Sequence, residues 1–315
     1  MDTTFIAIIK TMRPRQWLKN LTIYAGLIFT ARLYNLYDFL IVTQAFFAFC
    51  FATSAVYLFN DVVDAPKDRL HPFKCKRPVA AGVLSPRFAV LLGILFALFA
   101  LSYGFFLSER FFLALLSYIL LQLFYMFYLK HIIILDILAI ASGFLLRIYA
   151  GIWIIGTHLN IWFLLCVVSF ALFIAVGKRR AEATLLSGYT HSIELGKVRS
   201  TLLHYPESLL HAYTTMFATA TWLTYALFAF QQPRITPNSF FSQFFYGFTP
   251  RVEDTKWFMI TIPFVIFGVM RYLYLIYEKR EGESPERILL SDKPLLLVVV
   301  LWALIVYTIL YVVKG

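Results

Sequence analysis

Residues 39–69 read FLIVTQAFFAFCFATSAVYLFNDVVDAPKDR, an uncharged run to Phe59 that ends in Asn60, Asp61, Asp64 and Asp68. At 1.5 Å of rise per residue, about 20 apolar residues cross the roughly 30 Å of a bilayer's hydrocarbon. The stretch therefore reads as a membrane-crossing helix that delivers a set of acids to one membrane face. A strand is excluded, because an isolated strand leaves its backbone groups unsatisfied in lipid.

The rest of the chain agrees with that reading. Of 315 residues, 61% are hydrophobic and 14% charged, and the mean hydropathy is +0.76. A soluble domain carries about 25% charged and about 45–50% apolar residues, so a soluble globular enzyme is excluded. Disorder, which needs low hydrophobicity and high charge, is excluded too. The 33 Phe and 19 Tyr suit the walls and interfacial belts of a bilayer protein. Nine segments are expected to span, at about 18–35, 39–59, 88–107, 111–129, 132–156, 159–177, 211–230, 257–277 and 295–313. The first is interrupted by Arg32, the fifth contains Arg147 and the eighth carries Arg271 near its end. The fold class is an all-α polytopic membrane protein, with residues 1–315 forming one membrane domain.

Loop charge orients the bundle. Of the 28 Lys and Arg residues, 20 fall before the first span or after even-numbered spans, and 6 fall on the opposite side. The positive-inside rule then places the N-terminus and residues 60–87, 178–210 and 278–293 in the cytoplasm, with 231–256 and the C-terminus outside a plasma membrane. A net charge of +11 raises the question of nucleic acid. Here the basic residues lie between apolar runs, where they set topology and attract anionic headgroups or phosphorylated substrates, so no nucleic-acid partner is expected. Cys50, Cys75 and Cys166 form no C-x-x-C pair and suggest neither a disulfide framework nor a zinc site. Met1 to Arg15 is mixed and polar, and does not read as a cleavable signal peptide. A homo-oligomer stays open at this point.

The acids carry the chemistry. Asn60, Asp64 and Asp68 are four apart and share nearly one helix face, where like charges repel by a few tenths of a kcal/mol per pair. A cation is expected among them. Magnesium fits, since it takes oxygen ligands and bridges a few carboxylates to substrate phosphates. The bland alternative is a solvated helix end whose acids pair with Lys67 and Arg69. Next come Arg69, His71, Lys74 and Arg77, a cationic stretch bounded by Pro72 and Pro78. Its Lys and Arg side chains suit phosphate oxygens, Arg through paired hydrogen bonds. Arg147 lies inside a span, where a charge costs about 2.5–3.5 kcal/mol unless it faces protein or water. It is expected to line a central cavity, with a phosphate or Asp136 as its partner.

These residues resemble those of the UbiA superfamily of intramembrane transferases, which have nine transmembrane helices and an N-D-x-x-D-x-x-x-D motif. Asn60, Asp61, Asp64 and Asp68 supply that motif in full. Tyr125 to Lys130, followed by Asp136, is similar to the family's Y-S-x-x-L-K…D segment. The resemblance implies a bundle with a central cavity open to the cytoplasm, and Mg2+ held by Asn60, Asp61, Asp64 and Asp68.

The chain departs from ordinary members at the second acidic motif. Where D-x-x-x-D is the pattern, this sequence has Lys178, Arg179, Arg180 and Glu182. That cluster, with Arg13 to Asn20, Gly143 to Gly151 and Ser284 to Asp292, is similar to the decaprenyl-phosphate phosphoribosyltransferase branch. This resemblance implies transfer of 5-phosphoribose from phosphoribosyl diphosphate to a polyprenyl phosphate for envelope precursor synthesis. Asp61, Asp64 and Asp68 would be catalytic. Lys19, Asn60, Arg69, Lys74, Arg77, Tyr125, Lys130, Asp136, Arg147, Lys178, Arg179 and Glu182 would bind substrate. The alternatives are a conventional prenyltransferase with an aromatic or glycerol-phosphate acceptor, and a secondary transporter.

Overall fold

The computed structural model describes residues 3–70, 74–188, 205–232, 256–278 and 285–313. Among these the chain is all helical. A short α1 (Thr3–Met12) leads into a 3-10 run (Pro14–Tyr24) and a five-residue α2 (Ala25–Phe29). The long helices follow: α3 (Leu36–Asp68), α4 (Pro86–Leu107), α5 (Glu109–Phe127), α6 (Leu135–Ile154), α7 (Ile161–Gly188) and α8 (Glu207–Gln231). A 3-10 turn (Trp257–Thr261) opens α9 (Ile262–Tyr277), and α10 (Pro285–Ser291) precedes α11 (Lys293–Tyr307), which ends in a wider turn (Thr308–Val313).

Among the described residues, seven helical segments are long and apolar enough to cross a membrane: Leu36–Asp68, Pro86–Leu107, Glu109–Phe127, Leu135–Ile154, Ile161–Thr184, Trp257–Tyr277 and Lys293–Val313. The chain is an integral membrane protein. Two of the nine expected spans, 18–35 and 211–230, are not among these seven. Residues 18–35 form no single α-helix; Pro14 opens a 3-10 run, and the chain turns after Phe29. Helix α8 has the length but is rich in threonine. Thr214, Thr221 and Thr224 donate back to the carbonyls of Leu210, Phe217 and Ala220, which satisfies the hydroxyls within the helix.

The described residues pack as two compact units. The first holds α1, the 3-10 run, α3 to α6 and Tyr205. Its core sets Phe49 against Phe111 and Tyr118, with Ala45, Ala48 and Ala52 letting the helices approach closely. The 3-10 run lies against α6, where Gly151 leaves no room for a side chain: a methyl group there would overlap the Ile23 carbonyl oxygen. The second unit holds most of α7 together with α8 to α11. Phe173, Tyr272, Leu275, Ile276 and Leu295 form its core. Arg271 donates twice to Asp292, at 3.0 and 2.8 Å, and Asp292 also caps α11.

Helix α3 places the acids. Asn35 caps it, accepting from the Tyr37 and Asp38 amides, a contribution of about 1 kcal/mol. Its 33 residues extend about 50 Å, well beyond roughly 30 Å of hydrocarbon. The helix is therefore longer than a single crossing needs, and the acids occupy its last turns. Leu58 and Ala65 of α3 pack with Val79, Leu84 and Ala89, which seats the turn after residue 74 against the same helix end.

Candidate active site at the end of helix α3

Three cations meet the three acids. Asp61 and Asp68 are nearly buried, and one Arg77 nitrogen reaches both, at 3.4 Å from Asp61 and 2.6 Å from Asp68. Two residues seven apart fall on one helix face, so a single guanidinium can span them. Lys130, in the 3-10 turn after α5, places its ammonium 2.8 Å from Asp64. Arg13 completes the group with a bond from its guanidinium to Asp61. Asn60 is half-buried on the preceding residue of α3.

Arg13 reaches the acids because the segment after it is stitched along α3. Arg13 stacks on the Tyr57 ring at 4.6 Å, Tyr57 donates to Gln16, and Trp17 donates to Ser54. Asn20 donates to Cys50 and Thr53. Positions 50, 53, 54, 57 and 61 recur at helical spacing and form one stripe. The backbone at Arg13 is left-handed (φ 54°), a conformation that costs a non-glycine residue about 1–3 kcal/mol.

The other expected residues are placed as follows. Lys19, Lys74 and Tyr125 are half-buried in the first unit, and Arg69 donates to the Ala80 carbonyl rather than to an acid. Arg147 faces inward, 6% exposed, but of its two expected partners Asp136 is corrected. Its three nitrogens donate to Asn20 (2.7 Å), the Gly143 carbonyl (2.7 Å) and the Tyr118 hydroxyl (2.8 Å), not to Asp136. Asp136 is fully buried and accepts from the Tyr205 hydroxyl at 2.7 Å and the Ile137 amide at 2.9 Å. Lys178, Arg179 and Glu182 lie in the second unit, where Arg179 is 1% exposed and pairs with Glu182 at 2.8 Å. His71 lies outside the described residues.

Asn60, Asp61, Asp64 and Asp68 do not form a ready-made metal cage. Among the described residues, no three acidic, His or Cys side chains stand close enough to hold an ion by themselves. The donor chemistry nonetheless fits magnesium. The groups are hard carboxylate oxygens, and magnesium commonly uses one or two of them and completes its shell from substrate phosphates and water.

Arg13 and Asn20 entered the sequence reading only within the segment Arg13 to Asn20, not as site residues, and Tyr205 did not enter it. Arg13 carried a signal, since it precedes Pro14 at the start of a basic, aromatic segment; Tyr205 carried none.

A membrane-embedded helix bundle that presents carboxylates and cations together at a helix end is suited to phosphorylated substrates. The chain belongs to the UbiA prenyltransferase family, which matches residues 20–290. It is similar to the decaprenyl-phosphate phosphoribosyltransferase of Mycolicibacterium smegmatis, 37% identical over 300 residues, covering 94% of this chain and 89% of the relative. The enzyme of the same name from Corynebacterium glutamicum is 36% identical over 312 residues, covering 97% of this chain and 87% of the relative. Among solved structures, a UbiA homolog from Archaeoglobus fulgidus bound to GPP and Mg2+ matches the fold with a TM-score of 0.68 at 21% identity, covering 97% of this chain and 100% of that one.

Proposed function

We propose that the protein transfers 5-phosphoribose from phosphoribosyl diphosphate to a polyprenyl phosphate, releasing diphosphate. The observation that carries this reading is the near-full-length similarity to two enzymes named for that lipid substrate. The acid and cation cluster at the end of α3 supports it. An acceptor phosphate oxygen attacks the anomeric carbon, the bond from that carbon to the diphosphate breaks, and the centre inverts. The acceptor is already an anion near pH 7, so no general base is required.

Asn60, Asp61, Asp64 and Asp68 would hold Mg2+, which when bound neutralises charge on the departing diphosphate. Arg13, Arg77 and Lys130 stand beside those acids. They would bind phosphate oxygens directly, each charge-assisted bond contributing about 1.5–3 kcal/mol. Nearby carboxylates favour the positive charge that develops on the ribose. Lys178, Arg179 and Glu182 replace a second acidic motif and would serve a further phosphate. The reading extends to nine membrane crossings, residues 1–315 acting as one domain, and a central cavity open to the cytoplasm.

The test supplies purified protein with Mg2+ and two donor–acceptor pairs. Lipid-linked phosphoribose is expected from phosphoribosyl diphosphate plus polyprenyl phosphate. Turnover of a prenyl diphosphate with an aromatic acceptor, and none with phosphoribosyl diphosphate, would overturn the reading. Topology is checked separately in a cysteine-free background. A cysteine at Lys74 is expected to resist a membrane-impermeant thiol reagent in intact cells, while one at Lys256 reacts. The reverse order would invert the proposed orientation.

A further inference from the structure

Tyr205 lies at the start of the approach to α8, and its side chain is directed onto the N-terminus of α6. It is 5% exposed. Its hydroxyl accepts from the Ile134 amide at 2.6 Å and donates to Asp136 Oδ1 at 2.7 Å. One oxygen thus joins two points of the α5–α6 turn. That turn needs a tie, because Ile134 sits at φ 72° and ψ −47°, a region that a β-branched side chain rarely adopts. The same turn carries Lys130, whose backbone lies two residues before Ile132, and Ile132 accepts from the Asp136 amide. Lys130 in turn holds Asp64.

We propose that Tyr205 is a positioning residue: its hydroxyl locks the strained 129–136 turn and so holds the Lys130 ammonium against the acid motif. This inference rests on the phosphoribosyl-transfer reading only for its kinetic test. The tether it describes runs from the chain preceding α8, through Asp136 and Ile134, to a cation of the site. Tyr205 does not touch the acids of α3; its effect passes through Lys130.

The experiment uses the full-length protein and Tyr205→Phe, which removes one oxygen and keeps the ring. Misplacement of a catalytic group by about 1 Å can cost on the order of 100-fold, so kcat/KM for phosphoribosyl diphosphate is expected to fall about 10- to 100-fold. In a Lys130→Ala background the same change is expected to add less than about twofold, since coupled residues are not additive. Equal losses in both backgrounds, or no loss in either, would overturn the proposal.

Adding Ile134→Gly to Tyr205→Phe is expected to restore part of the activity and of the folded yield, because glycine adopts positive φ without penalty. No recovery would count against the strained turn as the element that Tyr205 holds. A second readout does not involve turnover. The rate of Lys130 acetylation, followed by peptide mass spectrometry, is expected to rise severalfold in Tyr205→Phe. An unchanged rate would sink the inference even if the reaction is as proposed. A raised rate in a protein that lacks phosphoribosyl transfer would uphold the tether and reject only the reaction.

Discussion

Asp64→Asn and Asp68→Asn are each expected to reduce turnover by at least about 100- to 1,000-fold, while the protein remains folded. Metal neutralisation of a leaving group is worth several kcal/mol, and each 1.36 kcal/mol is about a factor of ten in rate. Asparagine keeps the size and one acceptor oxygen, so Arg77 and Lys130 retain a hydrogen-bond partner at 2.6 and 2.8 Å in the parent geometry. The charge is what disappears. Turnover is measured at saturating Mg2+ alongside the thermal unfolding midpoint. Near-normal rates in both variants would remove these carboxylates from the chemistry, and a collapsed midpoint would assign them to folding instead.

The largest stability effect is expected at Gly151. Gly151→Ala places a methyl group on the Ile23 carbonyl, a backbone atom that cannot rotate aside. Overpacking of this kind costs about 1–3 kcal/mol. It should also displace the 3-10 run, and with it Asn20 and Arg13, so the loss of activity should exceed the loss of stability. Gly177 is the control. A methyl group there meets the Ile276 Cδ1 at 2.8 Å, the free end of a flexible side chain that can turn away. Gly177→Ala is expected to change the unfolding midpoint little. Equal effects at the two positions would show that the Ile23 contact is not what fixes the segment.

The acid motif and the membrane class were legible because both are local. An apolar run and acids at helical spacing need nothing from elsewhere in the chain. Arg147 shows where legibility stops. Its inward orientation follows from the cost of charge in lipid, but its Asn20 partner is 127 residues away and no periodicity connects the two. The helix type of residues 18–35 was not legible for a related reason. Leu18, Leu21, Ile23, Leu27 and Phe29 supply enough apolar character for a span, and only packing on α6 reveals the 3-10 geometry. Helix α8 inverts that case, since its threonines lower the hydropathy while their hydroxyls are satisfied at home. Tyr205 was invisible because one tyrosine among 19 carries no positional signature.

The docking of residues 14–24 onto α6 also imposes an order on biosynthesis. Ribosomes add about 5–20 residues per second, so the 127-residue separation between Asn20 and Arg147 corresponds to roughly 6–25 s of translation. During that interval the N-terminal segment has emerged and can meet α3, but its contacts on α6 have not yet been made. Helix α3 can enter the membrane meanwhile, with its acids still lacking Lys130. Arg13 to Asn20 can line α3 as soon as that helix is made, but the bond from Arg147 to Asn20 forms only after α6 is inserted. The acid cluster is therefore completed in stages, and a nascent chain stalled before residue 130 would carry the motif without the ammonium that pairs with Asp64.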